Sequence, residues 1–348
     1  MNNLKKTIIL CFVLFSCFIG AKADVEINET TFPDEEFRSW VLRQSYGQDG
    51  VLTEEEIANV TRITVVGGRD IQSLKGIESF TALTYLNCAS NHLTALDVSK
   101  CTKLEVLYCD CNQLNLLDVS KNTALKELAC AANPLTTLDI SMNPELTNLA
   151  CSQCQLTSLD VSQNNALTQL SCNSNQLTSL DVSKNTALTI LSCKSNQLTS
   201  LDVSKNTALK RLICNDNQLT SLNVAGCPVL EDIRCYSNQI KGEAMDALMA
   251  GLPTVEGFLG VINYKDEQNV MTKSQASAAK AKGWYVRYID SNNQWKNYEG
   301  SDEATGIGAT LNDRGKMTND SLYDLSGRKL SGKPARGIYI EGGKKKVK

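Results

Sequence analysis

The sequence predicts a β-rich solenoid: a right-handed coil of 21-residue turns with parallel strands and low curvature. Three observations carry that prediction. Cysteine recurs at Cys88, Cys109, Cys130, Cys151, Cys172, Cys193, Cys214 and Cys235, each 21 residues after the last. Three residues beyond each stands Asn91, Asn112, Asn133, Cys154, Asn175, Asn196, Asn217 or Asn238. Apolar residues alternate around the cysteine, as in Leu188-x-x-Leu191-x-Cys193-x-x-Asn196-x-Leu198. Such alternation sends every second side chain of a short strand inward. One turn of this length cannot bury its apolar face alone, so successive turns must stack.

Each turn divides into half-turns of 11 and 10 residues. Leu177-x-x-Leu180-x-Val182-x-x-Asn185 repeats the spacing of the cysteine half. A second asparagine column results at Asn122, Asn143, Asn164, Asn185 and Asn206, with Cys101 and Cys227 at its ends. Buried asparagines at bends are expected to satisfy backbone groups of neighbouring turns. Strong curvature needs a wide helical side, because helices pack about 8–10 Å apart and strands about 4.8 Å. Neither half-turn has room for a helix, so two extended faces are expected.

The pattern L-x-x-L-x-L-x-x-N/C-x-L, with cysteine as its third apolar residue, resembles that of bacterial leucine-rich repeat surface proteins, the internalin-like group included. The resemblance covers about half of the chain and implies a leucine-rich repeat solenoid.

The cysteine column could suggest a metal array or a disulfide ladder. A tetrahedral zinc site needs four ligands about 2.3 Å from one centre, whereas four stacked cysteines span roughly 14 Å. Parallel side chains one strand apart hold their Cβ atoms near 4.8 Å, beyond the usual disulfide separation of about 3.5–4.5 Å. Small, buried, free thiols in a packing role are therefore expected. No cofactor and no metal are expected either.

Bulk properties narrow the function. The 348 residues carry a net charge of −3, with no strong field for nucleic acid. His92 is the only histidine, which argues against imidazole catalysis and multi-histidine metal sites. No nucleophile–base motif is present, and an enzyme is not expected.

The two faces of the coil differ. One repeats Thr-Ser-Leu-Asp-Val-Ser and stacks Asp97, Asp118, Asp139, Asp160, Asp181 and Asp202. Each aspartate is expected to bond a turn amide or a lysine three residues on, rather than calcium. The other face varies from turn to turn. Its outward candidates for binding are Tyr85, Asn87, Tyr108, Asp110, Ile190, Lys194, Arg211, Ile213, Arg234 and Tyr236, richest at the two ends. Aromatic, aliphatic and arginine side chains on a rigid sheet suit a protein-binding surface.

The flanks complete the organisation. Residues 1–23 read as an export signal, with Lys5 and Lys6, an apolar run from Ile8 to Gly20, and Ala21-Lys22-Ala23 before Asp24. The apolar run is shorter than the roughly 20 residues of a spanning helix, and no later stretch spans. A lipoprotein signal at Cys17 is the alternative. Residues 24–62 read as a helical cap, with a capping box at Thr53 and Glu56. The loop from Ser45 to Glu56 resembles half of an EF-hand, but Ser45 and Gly47 replace its first acidic ligands. Residues 63–241 form the solenoid, 242–290 a small α/β cap and 291–317 a linker.

Residues 318–348 resemble the C-terminal sorting domain of type IX secretion substrates. The resemblance rests on Tyr323-Asp324-Leu325-Ser326-Gly327-Arg328, on Gly337-Ile338-Tyr339-Ile340, and on the glycine–lysine ending from Gly343 to Lys348. It implies passage through the outer membrane of a Gram-negative bacterium on type IX machinery, then cell-surface display or secretion. The expected function is an exported surface protein binding a macromolecule, a protein foremost, in adhesion or neighbour interaction. A structural or glycan-associated surface protein is the alternative.

Overall fold

The computed structural model describes residues 24–67, 70–265 and 267–301, and the backbone of six short strands between 310 and 347. The predicted signal at 1–23 lies outside the described residues.

A short antiparallel pair, β1 (Val25–Glu26) and β2 (Val51–Leu52), precedes one 12-stranded sheet whose strands follow chain order. The first nine strands of that sheet are three residues each: β3 (Arg62–Thr64), β4 (Tyr85–Asn87), β5 (Val106–Tyr108), β6 (Glu127–Ala129), β7 (Asn148–Ala150), β8 (Gln169–Ser171), β9 (Ile190–Ser192), β10 (Arg211–Ile213) and β11 (Asp232–Arg234). β12 (Gly257–Asn263) and β13 (Trp284–Ile289) extend the parallel ladder, and β14 (Trp295–Asn297) closes it antiparallel. Register is strict: Leu86, Leu107, Leu128, Leu149, Leu170, Leu191 and Leu212 stand opposite one another. All seven are buried, and a one-residue slip would turn the whole row to solvent.

The cysteine column lies inside this wall. Cys88, Cys109, Cys130, Cys151, Cys172, Cys193, Cys214 and Cys235 are all fully buried and free. Burial pushes the thiols of Cys88 and Cys172 up to about 12, so they sit as neutral apolar groups.

The asparagine ladder explains why the bends can be buried. The Asn175 side-chain amide donates to the carbonyls of Cys151 (2.9 Å) and Cys172 (3.0 Å), while its oxygen accepts the Leu156 N–H (3.1 Å). Asn112, Asn133, Asn196, Asn217 and Asn238 repeat this arrangement. Each rung of the first column, seven asparagines and Cys154, follows a residue in the left-handed region. Ser90, Cys111, Ala132, Gln153, Ser174, Ser195, Asp216 and Ser237 have φ between 51° and 58°. None of these is β-branched, the class that this conformation penalises most.

The second half-turn differs from expectation. Among the described residues it holds a single isolated bridge, Asp202 to Asn223, and no regular strand. Its backbone is satisfied by side chains and tight turns. Asn185 donates to the carbonyls of Val161 (3.0 Å) and Asn164 (2.8 Å), and the Asn185 N–H turns back to Val182 (3.0 Å). The leucine–valine alternation therefore packs a core without pairing a ladder.

Caps close both ends. Helix α1 (Glu35–Leu42) buries Phe37, Trp40 and Val41, and Phe37 packs on Phe32, which meets Phe80. Asp34 caps α1 through the Phe37 N–H and accepts the Gln72 (2.8 Å) and Ser73 (3.0 Å) amides of the first turn. The β1–β2 pair leads into helix α2 (Glu54–Asn59). The Glu56 carboxylate accepts the Thr53 N–H and hydroxyl, so the EF-hand-like loop spends that residue on a capping box.

At the far end the ladder continues beyond Asn238, where the sequence pattern breaks. Asn269 donates to the carbonyls of Cys235 (2.8 Å) and Val261 (2.9 Å) and accepts the Ile240 N–H (2.8 Å). It is a further rung, hidden by a longer excursion between strand and bend. Glu267, pushed up to about 7 by burial against four backbone amides that pull it down, accepts the Ser237, Asn263 and Asn269 N–H groups. Helices α3 (Glu243–Gly251) and α4 (Lys273–Ala281) cover this end. Residues 291–301, expected to open a linker, instead carry β14, and Tyr298 is buried. Two further strands, β15 (Thr310–Leu311) and β16 (Met317–Thr318), pair with each other. The tail strands β17 (Leu322–Tyr323), β18 (Lys329–Leu330), β19 (Ile338–Glu341) and β20 (Lys344–Val347) pair antiparallel. Tyr323 and Tyr339 lie in these strands, while Asp324, Gly327, Arg328 and Gly337 lie outside the described residues.

Candidate functional site: the outward strand face

Every strand from β3 to β11 presents its first and third residues outward, and the register carries the same rows on through Phe258 and Gly260 of β12 and Tyr285 and Arg287 of β13. These positions and the residue after each cysteine form three parallel rows. The sequence candidates Tyr85, Ile190 and Arg211 fall in the first row, Asn87, Tyr108, Ile213 and Arg234 in the second, and Asp110, Lys194 and Tyr236 in the third. The structure gathers them into two clusters and a trough.

The first cluster is aromatic and polar. The Arg62 guanidinium lies 3.4 Å from the Tyr85 ring centre, and Tyr85 meets Tyr108 edge to face at 5.7 Å. The Tyr108 hydroxyl donates to Glu127, and that bond first, then burial, pushes it up to about 12. Asn87 and Asp110 are less free than the sequence suggests, because they accept the backbone amides of Ala89 (3.1 Å) and Ala131 (2.8 Å). Desolvation nevertheless raises the Asp110 carboxyl.

The second cluster is built around Asp232, which is only 7% exposed. Its carboxylate receives Arg211 at 3.0 Å and two nitrogens of Arg234 at 3.1 Å. Both guanidinium groups are thereby oriented in advance, which lowers the entropy cost of engaging a partner. Arg234 also lies over Phe258 (5.3 Å) and Trp295 (6.0 Å), and Tyr236 meets Trp295 at 5.8 Å. Gly260 makes room for the indole: a Cβ there would stand 2.6 Å from Trp295. Ile213 is half-buried on the strand that carries Arg211. The sequence reading missed Arg62, Phe258, Gly260 and Trp295. A tryptophan in a polar stretch read as linker was the available signal.

Between the clusters runs a shallow trough of about 240 Å³, with Tyr108, Glu127 and Ile190 at its edges and Ala129, Ala150 and Ser171 along it. Lys194 is exposed beyond it, its amide bonded to Asn173. Small residues here leave the backbone within reach of a partner.

The opposite face is structural. Asp97, Asp118, Asp139, Asp160, Asp181 and Asp202 each accept the amide of the serine two residues on, at 2.8–2.9 Å. These backbone bonds, more than the lysines, hold the carboxyls below their ordinary value. Among the described residues no group of three His, Cys, Asp or Glu side chains is arranged to hold a metal ion. Nor is any described helix long and apolar enough to cross a membrane.

The leucine-rich repeats family model (two copies) matches residues 81–122. The chain is similar to the functional domain of InlJ from Listeria monocytogenes, whose structure includes a cysteine ladder: 34% identity, TM-score 0.65, covering 78% of this chain and 59% of that one. An internalin, InlF, from Listeria monocytogenes shares the fold at 21% identity and TM-score 0.55, covering 76% of this chain and 91% of that one. So does the ectodomain of the receptor kinase GASSHO1/SCHENGEN3 from Arabidopsis thaliana, solved with CASPARIAN STRIP INTEGRITY FACTOR 2. That match has 21% identity and TM-score 0.52, over 66% of this chain and 30% of that one. No curated protein matches the chain. Parallel strands one turn apart, an asparagine ladder and a cysteine in the third apolar place make this fold the leucine-rich repeat solenoid, with the Listeria internalins as its structural neighbours.

Proposed function

We propose that this chain is an exported, cell-surface leucine-rich repeat protein that binds a protein partner through its strand face. It is a scaffold and not an enzyme. The observation that carries the reading is the second cluster. Arginines fixed by a buried carboxylate and ringed by Phe258, Trp295 and Tyr236 have the composition of binding hot spots. A solved structure of the same fold adds support, since the plant ectodomain was solved in complex with CASPARIAN STRIP INTEGRITY FACTOR 2. Export rests on the signal-like residues 1–23 and on the tail at 318–348, which resembles a type IX sorting domain.

Capture of extracellular protein by intact expressing cells tests the reading. Charge reversal at Arg211 and Arg234, with Tyr85 and Tyr108 changed to alanine, is expected to weaken capture at least about tenfold, or 1.4 kcal/mol. Brief surface proteolysis of the cells should abolish it. Capture that survives both treatments contradicts the proposal. A glycan partner is the second reading, favoured by the half-exposed Tyr285 ring beside Phe258, and a glycan array separates the two.

A further inference from the structure

The two ends of the strand face carry opposite charge. In the outward rows from β3 to β6, the carboxylates of Asp110 and Glu127 stand against the guanidinium of Arg62. In the rows from β10 to β13, Arg211, Arg234 and Arg287 stand against one carboxylate among the described residues, that of Asp232. Two further carboxylates lie at the margin and are already engaged. Glu256 accepts the Tyr285 hydroxyl at 2.6 Å, and Asp216 accepts the Asn215 side-chain amide at 2.6 Å. The chain as a whole has a net charge of −3, so the positive end is a local feature.

We propose that the second end receives an acidic segment of a protein partner, with a side-chain carboxylate seated on Arg211 and Arg234 and a neighbouring apolar side chain on the rings of Phe258 and Trp295. This rests on the reading that the strand face binds a protein, and it names the chemistry of the bound segment. Asp232 Oδ2 receives the Arg211 Nε at 3.0 Å and a terminal nitrogen of Arg234 at 3.1 Å, while its Oδ1 receives the Arg234 Nε at 3.1 Å. One carboxylate thus engages only part of each guanidinium fork and leaves the remaining donors for a second anion. Both arginine side chains are partly exposed, so those donors are within reach of a partner. Such forks match a carboxylate through paired, charge-assisted bonds.

The surroundings favour a peptide. Phe258 and Trp295 meet edge to face at 4.8 Å, and Tyr236 joins Trp295 at 5.8 Å, so an apolar floor lies directly beside the charge. An acidic residue next to an aromatic or aliphatic one matches that pairing. Arg287 continues the row of Arg234 beyond Gly260, two strands or roughly 10 Å on. An extended segment crossing the strands covers the same distance in about three residues, so acidic residues three apart would face both arginines. At the first end, Asp110 and Glu127 repel such a segment, which confines it to the second.

Selection of phage-displayed random dodecapeptides on the full chain tests the assignment. The selected peptides are expected to be enriched in aspartate or glutamate beside an aromatic or aliphatic residue. A synthetic copy of one should bind at least about tenfold more weakly once its acids are replaced by amides. The same loss is expected with the triple variant Arg211→Gln, Asp232→Asn and Arg234→Gln, which leaves no buried charge unpaired and so should fold. Lys184→Gln with Lys205→Gln, which removes positive charge from the opposite face, should bind the peptide as the unaltered chain does. Selection that yields no peptide, peptides without acidic enrichment, or undiminished binding to the triple variant overturns the proposal. So does retention on heparin through the same arginines with no acidic peptide selected, which would assign this end to a sulfated glycan. If acidic peptides fail while reversal of Arg211 and Arg234 still weakens capture by cells, this inference falls and the protein-binding reading stands. Capture that survives the reversal sinks both.

Discussion

At the residue scale, the ladder asparagines do most to make this coil possible, and the two columns are not equivalent. Asn175 has its oxygen and its nitrogen both engaged, whereas the oxygen of Asn185 is buried without a partner, as in Asn122, Asn143, Asn164 and Asn206. Removing Asn175 leaves two carbonyls and the Leu156 amide unpaired in the core. Removing Asn185 affects only the carbonyls of Val161 and Asn164, which still accept the Asn164 and Leu167 amides, and relieves an orphaned acceptor. Asn175→Ala is therefore expected to cost about 3 kcal/mol and Asn185→Ala about 2 kcal/mol. Urea denaturation with unchanged slope measures both; equal costs, or the reverse order, contradict the ladder account. These columns were legible from spacing alone, since a polar residue recurring every 21 residues inside an apolar frame must sit at the same buried bend of every turn. The left-handed residue before each rung was not legible, because Ser, Cys, Ala, Gln and Asp share no signature except the absence of branching.

At the element scale, the aspartate column shows how a repeated charge can be structural. Each carboxylate closes its own turn on a serine amide, so its pKa in the folded state is lowered below the unfolded value. A lowered value contributes stability above the unfolded carboxyl range, near 3.9, and that stability is lost as pH falls through the folded values. The expected result is a steep loss of melting temperature below about pH 4. Asn223 already fills the same place with an uncharged oxygen that accepts the Ala225 amide at 3.0 Å. Asparagine at Asp118, Asp139, Asp160 and Asp181 should therefore preserve the turns at neutral pH and flatten the acid limb. An acid limb unchanged in that variant would place its origin elsewhere. The same column misled the sequence reading in one respect. Its leucine–valine alternation reads as a strand, yet asparagine and aspartate side chains absorb the backbone groups that a second ladder would have paired. The last rung was hidden for a different reason. Asn269 performs the work of Asn238, but the inserted segment between Val261 and the bend destroys the period.

At the scale of the whole molecule, the solenoid is a ruler with two decorated ends. Repetition fixes the strand spacing, and the variable rows alone carry information for a partner. The end clusters lie on β3–β6 and β10–β14, about five strands or 24 Å apart between Tyr108 and Arg211. Half of this site could be named from the sequence, since Tyr85, Tyr108, Arg211, Arg234 and Tyr236 stand out against a constant frame. The other half depends on contacts that no repeat announces. Trp295 reaches back from an antiparallel strand to lie over Gly260, and Asp232 turns two separate arginines into one fixed group. The opposite face supplies an internal reference, because Met142 is 53% exposed there, far from either cluster. Hydroxyl-radical footprinting of the chain with its captured partner uses both faces at once. The account predicts protection of Tyr85, Tyr108, Tyr236 and Trp295, with oxidation of Met142 unchanged. Protection of Met142 with the four strand-face rings still reactive would contradict it.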